Sequence, residues 1–246
     1  MLEGICVRRR ALLGIMIACL PALLLAQEVK HPAPRLVKPL DPLLSAFNRE
    51  GVSGSLELSG RCDTTRFPPN FGFPHWNAPA AREGTALEVA RETLANDPSI
   101  RISQDSDRKV RMVEAGVPTD LLNVRIKHIS FESNGEPLEY GAFTANEAAT
   151  RVILRAPEIL AFMKDHDIKD PFNGQGGSGG PGAKRVVTPP NMSGSMDDLT
   201  LSDALDRVLR TFGGIWIYED CPATSDQKRT FFFRFVNLRE ELLIEE

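Results

Sequence analysis

The chain has 246 residues, of which 29 are Lys or Arg and 33 Asp or Glu, for a net charge of −4, and 42% of it is hydrophobic. That mildly acidic balance argues against a general affinity for nucleic acid or anionic membrane, since both select positive faces. The length suits one or two small domains, and the apolar content is enough to bury a core.

Arg8, Arg9 and Arg10 stand ahead of an apolar run from Ala11 to Ala26 that only Cys19 and Pro21 interrupt. A basic stretch, a short apolar stretch and a small residue at its end is the order of an export signal. Residues 1–26 are therefore expected to be a signal peptide cleaved after Ala26. The run falls short of the ~20 apolar residues that span a bilayer, and an uncleaved anchor is the alternative. Arg9-Arg10-Ala11-Leu12-Leu13 loosely resembles a twin-arginine signal, but an ordinary basic n-region also accounts for it. Cys19 follows Met16-Ile17-Ala18, a poor lipidation site. Cleavage takes the net charge from −4 to −6. The mature chain is then periplasmic or secreted, with no membrane span.

Residues 27–45 form a Pro-rich linker, with a helical turn expected from Leu43 to Phe47. Alternation from Gly54 to Ser59 predicts a strand. The stretch from Cys62 to Arg82 is too rich in proline for regular structure. Its Phe67, Phe71, Phe73 and Trp76 make it a candidate partner-binding loop, or else a cover over the chain's own core. Thr85-Ala86-Leu87-Glu88 is a capping box, and Ala86, Val89, Ala90, Thr93 and Leu94 then share one helical face. Ile100 and Ile102 begin a strand that turns at Ser106-Asp107 and returns through Val110 and Met112. A further strand runs from Val124 to Phe131.

Residues 133–169 read as a helical connector. Thr144 to Glu147 is a second capping box, and Pro157 fits the first position of a second helical segment. Residues 170–186 are a Gly-rich flexible linker. Thr200 caps a helix whose apolar face is Leu201, Ala204, Leu205, Val208, Leu209 and Phe212. Gly213-Gly214 ends it. Ile215 and Ile217 begin a strand, and Phe231, Phe233 and Phe235 line a returning one. Thr85 and Thr200, Leu94 and Leu209, Ile100 and Ile215, Ile102 and Ile217 are each 115 positions apart. The expected fold class is α+β: two small β-α-β-β units, residues 46–132 and 187–246, related by tandem duplication or by generic amphipathic likeness.

The segment Leu199 to Asp206, with Val208-Leu209, Phe212-Gly213 and Ile215 to Tyr218, resembles the short N-terminal domain of secretins and TonB-dependent receptors. Thr85 to Met112 resembles it less, lacking the glycine after its helix. The resemblance implies a compact β-α-β-β fold and a periplasmic module that contacts other proteins, with no catalytic residues to carry over. Those proteins continue into an outer-membrane pore or barrel, whereas this sequence ends at Glu246, so the secretin or receptor role itself is not implied.

Catalytic signatures are formal only. Gly174 to Gly179 fits a dinucleotide-binding pattern and Gly176 to Gly180 a nucleophile elbow, but neither has the strand before and the helix after that such chemistry needs. A P-loop reading fails because Ala183 stands where lysine is required. The four histidines, His31, His75, His128 and His166, are far apart and no Cys-x-x-Cys occurs, so metal-ligand spacing is absent. Asp165-His166-Asp167 reads as a solvated helix end. Cys62 and Cys221 either form one disulfide or are two buried thiols. The reading is of a non-catalytic interaction module without catalytic, cofactor-binding or metal-ligating residues, binding another envelope protein through a sheet edge or the aromatic loop. An envelope enzyme or inhibitor with a site near His75 or His166 is the alternative, and a purely structural envelope component a third. A pocket with converging polar groups favours the enzyme, and an exposed sheet edge favours the module.

Overall fold

The computed structural model describes residues 41–60, 84–105, 109–133, 135–138, 144–172 and 190–236. The fold is mixed α+β. Its helices are α1 (Asp41–Glu50), α2 (Ala86–Thr93), α3 (Ala145–Glu147), α4 (Pro157–Asp165) and α5 (Leu201–Phe212). Its longer strands are β1 (Ser53–Ser59), β2 (Ile100–Gln104), β3 (Lys109–Glu114), β4 (Arg125–Ser130), β7 (Ser195–Thr200), β8 (Ile215–Cys221) and β9 (Thr230–Val236). β5 (Glu132–Ser133) and β6 (Glu136–Pro137) make a minimal ladder.

Five strands form one sheet in the order β2-β3-β1-β8-β9. The outer pairs β2–β3 and β8–β9 are antiparallel hairpins, and both join β1 in parallel. The two segments related by 115 positions therefore build halves of a single sheet that meet at β1–β8. Their helix starts agree closely. Thr85 (φ −70°, ψ 158°) and Thr200 (φ −69°, ψ 159°) each accept a hydrogen bond from the third helical amide. The strands before the helices are used differently. β1 lies inside the sheet, whereas β7 pairs with β4 in a separate ribbon.

Alternation along the strands sends side chains to two layers. On one face Leu56, Leu58, Val110, Met112, Ile215 and Ile217 pack under α1 and α2. On the other, Trp216, Tyr218, Phe231, Phe233 and Phe235 pack under α5, α4 and the turns before α4. α2 and α5, similar in sequence position, thus cover opposite faces. All seven residues of β8 are buried because both layers meet over it. α1 starts at Asp41, so residues 41–45, read as the end of a linker, belong to a helix. Pro42 sits in its first turn, where the missing amide costs nothing, and Leu43, Leu44, Ala46 and Phe47 are buried. The connector helix predicted from Ala145 to Arg155 changes pitch instead: α3 passes into a π turn (Ala148–Val152) and a 3-10 turn (Ile153–Arg155).

Gly54 marks the closest approach of α1 to the sheet. A Cβ there would overlap the Phe47 ring and lie 3.0 Å from the Val110 carbonyl oxygen. Gly54→Ala is expected to lower stability by about 1–3 kcal/mol, the range for overpacking. A urea titration checks this, and an unchanged midpoint contradicts the packing.

Candidate functional site

Strand alternation places Ser55 and Glu57 on the opposite side of β1 from Leu56 and Leu58. It does the same for Lys109 and Arg111 against Val110 and Met112. The pattern suggests a solvated polar face. The structure buries much of it, since Ser55, Glu57 and Lys109 are at most 3% exposed. The cause is α5, which crosses this face beside β1 and carries Ser202 and Asp206 down onto it.

The groups compensate one another. The Lys109 ammonium donates to the Asp206 carboxylate and sits 5.1 Å from the centre of the Trp216 ring. Trp216 Nε1 donates to Asp206 Oδ1 at 2.6 Å. Arg111 donates to Glu57 Oε1 at 3.2 Å and lies 3.7 Å from Asp206. Ser55 Oγ donates to the same Glu57 oxygen at 3.1 Å. Burial pushes the Glu57 and Asp206 carboxyls above their ordinary range and the Lys109 ammonium below its own, against the opposing pull of their partners. Several shifted groups in one cleft mark a candidate site.

The cleft, ≈ 210 Å³, lies between α5 and the β2–β3 half of the sheet. Asp105, Lys109 and Arg111 contribute from the sheet, and Asp203, Asp206, Arg207 and Arg210 from α5. Its carboxylates are engaged, Asp206 as described and Asp203 in capping α5 through Thr200. Arg207 is exposed and has no ion-pair partner among the described residues.

Asp105, in the cleft lining, directly follows β2, and β2 is one edge of the sheet. Asp105 N donates to Lys109 O at 3.0 Å, and Ala115 N to Ser99 O at 2.8 Å. These bonds fix the antiparallel phase, so the backbone groups of Ile102 and Gln104 point away from β3. Among the described residues nothing pairs with them. The other edge, β9, is covered. Asn146 Oδ1 accepts from Phe235 N at 3.0 Å, and Lys169 bridges to Thr230.

The residues anticipated from sequence fall elsewhere. Cys221 ends β8, is buried, and is disulfide-bonded to a residue outside the described regions. Cys62, Phe67, Phe71, Phe73, His75 and Trp76 lie outside the described residues, as does the Gly-rich run around Ser178. His166 caps α4, stacked on Phe162 with ring centres 3.9 Å apart, and Asp167 pairs with Lys228, as a solvated helix end should. His128, Asp197 and Ser195 do come together on the β4–β7 ribbon. Asp197 stands in the middle, 2.6 Å from His128 Nδ1 and 3.4 Å from Ser195 Oγ. A nucleophilic triad needs the imidazole between hydroxyl and carboxylate, so this exposed group is not one. Beyond the sheet's centre, Arg229 clamps Asp220 and Asp120, and Tyr218 donates to Asp220 at 2.7 Å. The Arg229 hydrogen bond holds Asp120 below the usual carboxylate range, while burial pushes the Tyr218 hydroxyl up. Among the described residues no cluster of His, Cys, Asp and Glu is arranged to hold a metal, and no helix is long and apolar enough to cross a membrane.

No family model, curated protein or solved structure matches the chain.

Proposed function

We propose that the mature chain is a non-catalytic interaction module of the cell envelope, periplasmic or secreted, which takes an extended segment of another envelope protein along β2. The carrying observation is the asymmetry of the sheet: β9 is covered by Asn146 and Lys169, while the backbone donors and acceptors of Ile102 and Gln104 on β2 have no partner among the described residues. Strand addition uses such an edge, with backbone bonds giving affinity and alternate side chains giving selectivity. The cleft favours the second reading, an envelope enzyme, through its shifted Lys109, Asp206 and Glu57. Against that stands the pairing of those groups with one another, which leaves neither a base nor a nucleophile at liberty. The disulfide at Cys221 supports an oxidising compartment.

A photo-crosslinking side chain at Gln104 separates the readings in the native envelope. It is expected to capture a defined envelope protein, while the same group at Asp226, on the distant β8–β9 turn, captures none. No adduct from Gln104, or the same adducts from both positions, refutes docking at β2. The exported protein itself, without the crosslinker, should have an intact mass that begins near Gln27; a full-length mass in the soluble envelope fraction refutes export with cleavage.

A further inference from the structure

We infer that the strand accepted by β2 alternates apolar and acidic residues, with its acid opposite Arg101. The inference rests on the edge reading above and adds the chemistry of the partner. The two faces of β2 are unlike. Ile100 is buried under α2, and Ile102 and Leu87 are half-buried against the same core. On the opposite face Arg101 and Ser103 are exposed beside Val113 and Arg111, their register partners on β3. Among the described residues Arg101 has no ion pair or hydrogen bond from its side chain, and the Arg111 side chain, one strand inward, remains 32% exposed.

A strand added at β2 lies about 4.8 Å beyond it and repeats the alternation. Its residues on the α2 side extend the apolar floor of Ile102 and Leu87. Its residues on the other side stand across from Arg101 and Ser103, where an opposite charge stabilises the pair and a like charge opposes it. Asp105, at the cleft end of the same face, disfavours an acid there. The acid therefore belongs opposite Arg101, with a neutral residue toward the cleft.

Two acetylated heptapeptides test this on mature protein with its disulfide intact, both with Val at alternate positions and Ser at the outer two positions between, one with Glu and one with Lys at the central position. The Glu peptide is expected to bind about five- to ten-fold tighter, as cross-strand charge pairs suggest. It should shift the backbone amide resonances of Ile102 and Gln104, and Arg101→Glu should reverse the order of the two peptides. Equal binding of both peptides to wild type and to Arg101→Glu, with those amides still shifting, overturns the acidic preference and leaves the edge reading standing. If neither peptide shifts Ile102 or Gln104, the edge reading falls, and the inference with it.

Discussion

Asp206→Ala should destabilise the fold by about 3–5 kcal/mol, the cost of breaking a buried ion pair by removing one partner. Asp206 is 14% exposed in its side chain and Lys109 only 4%. Without the carboxylate the Lys109 ammonium stays in its enclosed position over Trp216, and Trp216 Nε1 loses its acceptor. Both losses fall where α5 is tied to β3 and to β8, so the helix is held less firmly on both halves of the sheet. Replacing the pair together, Lys109→Met with Asp206→Leu, should recover most of the loss, because neither member of the pair is then left buried without its partner. Urea denaturation of the three proteins measures the difference. A cost below about 1 kcal/mol for Asp206→Ala, the scale of an exposed pair, contradicts the buried network.

The pH dependence has a definite sign. The Asp206 and Glu57 carboxyls are raised in the fold above their ordinary values of 3.8 and 4.5. Between the unfolded and folded values the native state holds more protons, so this contribution to stability is full in acid and is lost as pH rises through the folded values. Lys109, lowered from 10.5, acts on the alkaline side. There the unfolded chain keeps its proton longer, and stability rises with pH through that window. The deficit of Asp206→Ala should accordingly widen as pH falls through the raised Asp206 value toward 3.8, since only the wild type gains stability there by holding a proton that its unfolded chain has released.

That network was not legible in the sequence, and the reason is physical. Alternation along β1 and β3 correctly separates Leu56 and Met112 from Glu57 and Arg111. It cannot say that a helix more than eighty residues further on will lie across the polar side. Asp206 stands beside an apolar face without interrupting it, so periodicity alone reads it as solvated. Local signals fared better. The Thr85 and Thr200 caps, the glycine end of α5 and the starts of β2 and β8 at Ile100 and Ile215 all follow from side-chain chemistry within a few residues. The equivalence of the two segments predicts their helix–hairpin form, but not that one helix covers each face, since side choice depends on partners distant in the chain. The β2 edge could not be found without the topology, because nothing in Ile100 to Gln104 distinguishes an outer strand from an inner one.

Mature protein assayed without reductant should show no free thiol, and removing its disulfide should cost about 4–5 kcal/mol before strain, in the chain-entropy account for a loop of roughly 160 residues. Cys221 is buried and disulfide-bonded. We propose Cys62 as its partner. The parallel register sets Ser59 beside Asp220, and Gly60 N donates to Asp220 O at 2.9 Å, so the chain leaves β1 alongside Cys221. Cys62 follows two residues later, a reach of about 7 Å at most, against Cα separations of ~4.4–6.8 Å across disulfides. Cys6 and Cys19 belong to the segment expected to be removed on export. The bond would lie at the C-terminal ends of β1 and β8, the pair that joins the two halves of the sheet, rather than at a sheet edge. It would therefore crosslink the joint between the two halves of the sheet. Cys62→Ser should release one thiol at Cys221 and lower the denaturation midpoint by the same amount as reduction of the wild type. Two free thiols in freshly exported wild-type protein, or a Cys62→Ser variant as stable as the parent, would exclude this pairing.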